Sequence, residues 1–211
     1  PELAARLDKS ARKAKVAVLG TGVNPGYLMD TLPIALTAVC QRVDSITVSR
    51  VQDAQFRRLP FQKKIGAGLT LQEFEAKRAA GTLRHVGLTE SMHMIASRMG
   101  WRLDRTEDEL SPIVARRRIV TPALTVKRGE AAGVQQIGRG WVGTVKRITL
   151  VFRAAVGEPD PADTVQIAGE PNVTSTIPGG VNGDIATCAI TLNAVRTVLA
   201  AKPGQIGRAH V

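Results

Sequence analysis

The feature that most constrains this sequence is a change of texture at Trp101. Before it, apolar residues recur mainly at helical spacing. After it they alternate in short stretches separated by Gly, Pro and Asp, until a last helix-periodic segment nears the end of the chain. The two periods present their apolar faces differently, one as a stripe and one as a sheet surface. Segregated along one chain, they predict an α+β fold: a mixed, mostly antiparallel sheet with helices packed on one face. A length of 211 residues suffices for one large domain with a real core, and an aromatic content of 3% leaves aliphatic side chains to fill it.

Leu3, Leu7 and Ala11 suggest a helix at the start, and Lys15 to Leu19 reads as a short strand ended by Gly20-Thr21-Gly22. Asn24 is placed to cap a helix with Pro25 in its first turn. That helix would carry Leu28, Met29, Leu32, Leu36, Val39 and Cys40, with a kink or break at Pro33. Val43 to Val51 alternates, so that Ile46 and Val48 share a strand face with Arg50. Thr70 and Glu73 form a capping box for a helix to Ala80, and another helix is expected from Thr89 to Met99. Strands are expected near 113–127, 134–138, 144–154 and 164–168. The last helix should begin near Asp184 as its cap. It should bury Ile185, Cys188, Ala189, Leu192, Val195 and Leu199 before stopping at Pro203-Gly204.

No apolar run reaches the roughly 18 residues needed to cross a bilayer, so no membrane partner is expected. Cys40 and Cys188 stand alone, which suits a reducing compartment, most simply the cytoplasm. His85, His93 and His210 have no metal-ligand spacing, and no metal is expected. The net charge of +11 admits nucleic acid, an anionic cofactor or an acidic partner, but also a solvated basic surface. Arg57-Arg58, Lys63-Lys64 and Arg116-Arg117-Arg118 are short and separated, and only Phe56 and Phe61 lie near a cluster. A stacking platform for bases is not evident, so a nucleic-acid-binding module is the lesser reading.

Gly20 to Gly26 follows a strand and precedes an expected helix, the context of a dinucleotide loop. The fingerprint fails in detail: its third glycine falls on Pro25, and Gly26 comes one residue late. Such a loop still has backbone amides and the Asn24 carboxamide to hold a polar group, or it is simply a tight turn. Arg50 ends an apolar strand face, where it either snorkels to the sheet edge or meets an anion or carbonyl oxygen.

Four segments, in order, carry a resemblance: Gly20-Thr21-Gly22-Val23-Asn24-Pro25-Gly26-Tyr27-Leu28-Met29-Asp30; Gly87-Leu88-Thr89-Glu90-Ser91; Gly133-Val134-Gln135-Gln136-Ile137-Gly138; and Ile177-Pro178-Gly179-Gly180-Val181-Asn182-Gly183-Asp184. Together they resemble the second domain of the 2,4-diaminopentanoate dehydrogenases, which are related to native amine dehydrogenases and, more distantly, to dihydrodipicolinate reductase. The resemblance implies hydride transfer with NAD or NADP: oxidative deamination of an amine, reversed as reductive amination of a ketone with ammonia. It implies residues 1–23 as the last strand and helix of a nucleotide-binding domain, and 24–182 as a substrate and dimerisation domain. Residues 183–204 would be a helix returning toward the nucleotide domain, and 205–211 a tail. Asn24, Pro25 and Gly26 would border the cofactor, with Met29, Arg50, Thr176 and Asn182 around the substrate. The family often carries His where this chain has Asn182. The catalytic acid is expected upstream of Pro1, so the chain is expected to be inactive by itself and to work as a homodimer. A mostly apolar wall suited to a small ketone or imine is expected. A dihydrodipicolinate-reductase-like domain is the nearest alternative.

Overall fold

A computed structural model describes residues 2–83 and 85–206. In chain order the elements are α1 (Glu2–Lys13), β1 (Ala17–Leu19), α2 (Thr31–Leu36) with a 3-10 turn Thr37–Val39, β2 (Arg42–Asp53), α3 (Leu59–Lys64), α4 (Leu71–Ala79) and α5 (Leu88–Arg98). There follow β3 (Arg105–Val114), β4 (Ile119–Val120), β5 (Thr125–Val126), β6 (Ala131–Val142), β7 (Val145–Ala155), β8 (Ala162–Glu170), β9 (Val173–Pro178), α6 (Gly183–Ala200) and β10 (Gly204–Ile206).

Six strands form the main sheet in the order β3-β6-β7-β2-β8-β9, and only the β2–β7 pair is parallel. This is the expected α+β architecture. Alternation decides which face is covered: Ile46 and Val48 of β2, Ile148 and Leu150 of β7, and Val165 and Ile167 of β8 are all buried. Phe74 of α4 and Leu88, Met92 and Ile95 of α5 belong to the same core. Gly138 and Gly140 of β6 let α5 approach: a Cβ at Gly138 would lie 2.8 Å from the Met92 methyl. β1 and β10 form a separate parallel pair. Gln205 and Ile206, expected in a tail, thus belong to a strand, while 207–211 and His210 lie outside the described residues.

Three expectations need correction. The helix after the glycine loop begins at Thr31, capped by Asp30 rather than Asn24. The Asn24–Pro25 peptide is cis and Gly26 has φ +132°, so residues 24–26 do not follow a helical path. Asp30 organises this turn: it accepts from the Gly26 N–H at 2.8 Å, the Thr31 N–H at 2.6 Å and the Ser91 hydroxyl at 2.7 Å. Pro33 falls in the first turn of α2, where its missing N–H has no helical partner to lose.

Second, the stretch expected as strand at 113–127 holds only the end of β3 and the separate short β4–β5 pair, while β3 from Arg105 onward and β9 were not foreseen. Both are edge strands, and β3 carries Arg105, Glu107, Asp108 and Glu109, which mask the pattern of apolar alternation. Third, α6 is capped by Asn182, whose Oδ1 accepts from the Asp184 and Ile185 N–H groups at 2.9 and 3.3 Å. Its apolar side is not buried: Ile185, Leu192 and Leu199 are 71%, 72% and 81% exposed, and Ala194 is the buried residue of this helix. No helix among the described residues is long and apolar enough to cross a membrane.

Candidate functional site

The covered face of β2 changes character along its length, from Ile46 and Val48 to Arg50 and Gln52, all of them buried. Parallel pairing puts Phe152 of β7 beside Arg50, and antiparallel pairing puts Asp163 of β8 on its other side. The Arg50 Nη2 and Gln52 Nε2 atoms both donate to the Val181 carbonyl, at 3.0 and 2.9 Å, while Asp163 Oδ2 accepts the Val181 N–H at 2.7 Å. One peptide group is therefore held at both of its polar atoms, which fixes where α6 begins.

The next turn is tied down by charge. Asp184 accepts from Arg57 Nε at 2.8 Å and from Arg58 Nη2 at 2.8 Å, and Arg57 lies 4.0 Å over the Phe61 ring. The hydrogen bond from Arg57, aided by Arg58, holds the Asp184 carboxyl below the usual carboxylate range. Between this turn, the 21–25 loop and the sheet lies a cleft of about 430 Å³.

Four residues lining that cleft each present a buried atom with no hydrogen-bond partner among the described residues: Thr21 Oγ1, Asn24 Oδ1, Arg50 Nη1 and His85 Nε2. An unpaired buried polar atom costs roughly 1–3 kcal/mol, so four on the residues that line one cleft single it out as the candidate site. Arg50 is also incompletely paired behind the cleft, its Nε 3.8 Å from an Asp163 Oδ1 that makes no hydrogen bond. Burial lowers the Arg50 pKa and raises that of Asp163, each more than their mutual attraction restores it.

His85 was not singled out by the sequence. Its ring stacks on Phe152, with centroids 4.5 Å apart, and its backbone N–H donates to Gln136 Oε1 at 2.6 Å. The fully buried Gln136 is itself held by Asp108. Burial, reinforced by the charges of Lys64 and Arg50, pushes the imidazole pKa from 6.5 down to about 4, against a hydrogen bond to the Asn24 backbone. At neutral pH the ring is uncharged. With the Asn24 backbone taking one ring N–H, Nε2 is left as a buried acceptor with no partner among the described residues.

The family model for the 2,4-diaminopentanoate dehydrogenase C-terminal domain matches residues 27–209. The chain belongs to this family. It is 35% identical over 211 aligned residues to the 2,4-diaminopentanoate dehydrogenase of Acetoanaerobium sticklandii, which spans 97% of this chain and 60% of that protein. The chain thus covers less than two thirds of its curated relative. The fold also matches a structure of amine dehydrogenase from Mycobacterium smegmatis, with a TM-score of 0.85, 20% identity, and coverage of 100% of this chain and 63% of the other.

In this chain the fold brings Asn24, Pro25 and Arg50 to one cleft and distributes the other expected site residues elsewhere. Gly26 borders a neighbouring cavity with Tyr27 and α6. Met29 is fully buried behind Asn24, whose Nδ2 lies 3.1 Å from its sulfur. Asn182 caps α6 just outside the cleft lining. Thr176 stands on the opposite face of the sheet, 3.3 Å from the Thr164 hydroxyl. Gln52 was legible as the next residue on the Arg50 face, whereas His85, Asp163 and Asp184 reach the site through pairings that no local pattern announces. No three His, Cys, Asp or Glu side chains among the described residues are arranged to hold a metal ion.

Proposed function

We propose that this chain is the substrate-side part of an NAD(P)-dependent amine dehydrogenase of the diaminopentanoate type, and that its cleft receives an amine bearing a carboxylate. The observation that carries this reading is a pair of buried, unpartnered atoms on residues that line the cleft: a cationic donor, Arg50 Nη1, and a neutral acceptor, His85 Nε2. The first suits a carboxylate and the second an amine N–H. The cleft is basic and polar rather than mostly apolar, since Arg50, Arg57 and Lys64 line it and Asp184 is its sole carboxylate among the described lining residues. That favours a charged substrate over a simple ketone.

Thr21 Oγ1 and Asn24 Oδ1 fit the carboxamide end of a nicotinamide; the rest of a dinucleotide needs groups beyond these loops. When bound, NAD(P)+ supplies the hydride acceptor for the amine carbon, and water then replaces the nitrogen as ammonia. The chain's own residues orient the substrate: Arg50 its carboxylate, His85 its nitrogen, and the Phe152 ring its carbon skeleton. Asp184 is engaged with two arginines and its pKa is lowered, so it is poorly suited to deliver a proton. The acid is therefore assigned to a further part of the enzyme, and this chain by itself is inactive. Residues 1–23 and 183–204 then lie toward the nucleotide-binding part, where the exposed side of α6 finds its cover. The uncovered sheet face pairs two subunits.

The test is made in the protein joined to its nucleotide-binding part, comparing NAD(P)+ reduction with 4-aminopentanoate and with 2-aminopentane, which differ only in the carboxylate. The carboxylate substrate should win by about 10- to 100-fold in kcat/KM, the worth of one charged hydrogen bond, and Arg50→Gln should erase most of that preference. Equal kcat/KM for the two amines, or no NAD(P)+ reduction by a folded enzyme, would overturn the proposal.

A further inference from the structure

On the opposite face of the sheet from the cleft, a groove of about 990 Å³ is bordered by Arg116, Arg117, Arg128 and Arg153. Phe152, in the cleft, and Arg153, in the groove, are consecutive residues of β7, so the two sites lie back to back. Two turns form the rim and are clasped together: the Ala115 N–H donates to the Glu130 carbonyl and the Gly129 N–H to the Ala115 carbonyl, both at 2.9 Å. Arg116 and Arg128, the residues next to Ala115 and Gly129, are therefore held as neighbours.

The nearby carboxylates are already engaged. Glu158, the one carboxylate among the described lining residues, accepts from Arg153 Nε at 2.7 Å. Glu130 lies 4.0 Å from Lys127 and also accepts the Lys127 N–H. Asp53 Oδ1 takes the N–H groups of Gln55 and Gly157. Arg116, Arg117 and Arg128 meet no carboxylate among the described residues. Ile113, Ile119, Ala132, Ala155 and Val156 line the interior, and the described lining residues include no aromatic ring on which a base could stack.

Guanidinium groups match phosphate and carboxylate oxygens in paired hydrogen bonds, and a cluster of them without counter-charge repels itself until an anion joins it. We infer that this groove is a second binding site, for a small multiply charged anion of phosphate or carboxylate type with an aliphatic rather than an aromatic body. The site is independent of the amine chemistry proposed for the cleft, and its arginines lie toward the Arg153 end of β7, beyond the Thr47–Thr149 and Ser49–Val151 pairs of the face proposed to pair two subunits.

Calorimetric titrations with inorganic pyrophosphate, with citrate and with a 20-nucleotide single-stranded DNA, each in 0.15 M KCl, separate the sources; weak surface pairing is largely screened at that salt concentration. Saturable one-to-one binding of pyrophosphate or citrate is expected, and whichever binds identifies phosphate or carboxylate as the preferred group. An Arg116→Gln/Arg128→Gln variant should lose at least about tenfold of that affinity, while His85→Gln should leave it unchanged. Both arginines are exposed, so the double variant should fold normally, which a thermal melt checks. No saturable binding of either small anion, or equal binding by the double variant, would overturn the inference. Tighter binding of the DNA than of either small anion would also overturn it, making the cluster a nucleic-acid surface.

Discussion

His85 and Arg50 sit side by side in the cleft and respond to burial in opposite practical ways. The imidazole gives up its charge, with a pKa near 4 against 6.5 for a free histidine, because burial and the neighbouring cations all disfavour the proton. The unfolded chain therefore takes up that proton at a higher pH than the folded one. Stability contributed by His85 is complete above about pH 6.5, declines between 6.5 and 4, and falls no further below 4. The whole effect is on the order of 3 kcal/mol. Urea titrations at pH 7.5 and 4.5 should show this loss, and His85→Gln should remove that share of it. A His85 ring that titrates near 6.5 by NMR would contradict the buried placement. Arg50 cannot discharge at any ordinary pH, so its removal strands Asp163. Arg50→Ala is expected to lower stability by about 3 kcal/mol, the low end for breaking a buried ion pair because this one is long and incompletely hydrogen-bonded. Chemical denaturation measures this directly, and the milder Arg50→Gln keeps a donor for the Val181 carbonyl.

Among the elements, α4 and α6 behave differently although both were foreseen. At α4 the Thr70 hydroxyl accepts the Glu73 N–H at 3.2 Å while Glu73 Oε2 accepts the Thr70 N–H at 2.8 Å. Both bonds lie within four consecutive residues, so the sequence displays them in full. Thr70→Ala should lower stability by about 1 kcal/mol, read as a shifted urea midpoint with unchanged slope. In α6 the apolar residues suggest a buried helix, yet the chain's own core leaves Leu192 and Leu199 exposed. Leu192→Gln and Leu199→Gln should therefore each change the stability of this chain by less than about 0.5 kcal/mol. A loss of several kcal/mol would show that α6 packs against the sheet after all.

At the scale of the molecule, the sheet separates two environments. Its covered face carries the core and, at one end of β2, the cleft. Its other face presents Thr47, Ser49, Thr149, Val151 and Ile137 in register, half-buried, with no helix of the described residues packed closely over them. If that face pairs two subunits, light scattering should give twice the mass of the chain, 22.5 kDa for this length. Val151→Glu should then shift the protein to monomer without altering the melt of the monomeric fold. A monomeric parent protein would remove the pairing from the proposal.

By itself, the sequence determined what depends on neighbours along the chain: the capping box, the alternation of β2, the helical period of α5 and the α+β segregation. It also displayed the motifs that carry the family, because those are runs of consecutive residues. Only the tertiary structure decided which face of the sheet is covered, that Thr176 and Arg50 lie on opposite faces, that Asp163 and Val181 meet the end of β2, and that Asp184 meets the two arginines just beyond it. Those contacts join residues more than a hundred positions apart, such as Arg50 and Val181, through the strand order β7-β2-β8. The same holds for His85, whose lowered pKa belongs to its surroundings of Phe152, Lys64 and Arg50 and not to its own segment. A side chain's period is written locally, but its solvent and its charged neighbours are set by packing, and it is packing that turns a strand-end arginine and an isolated histidine into a site.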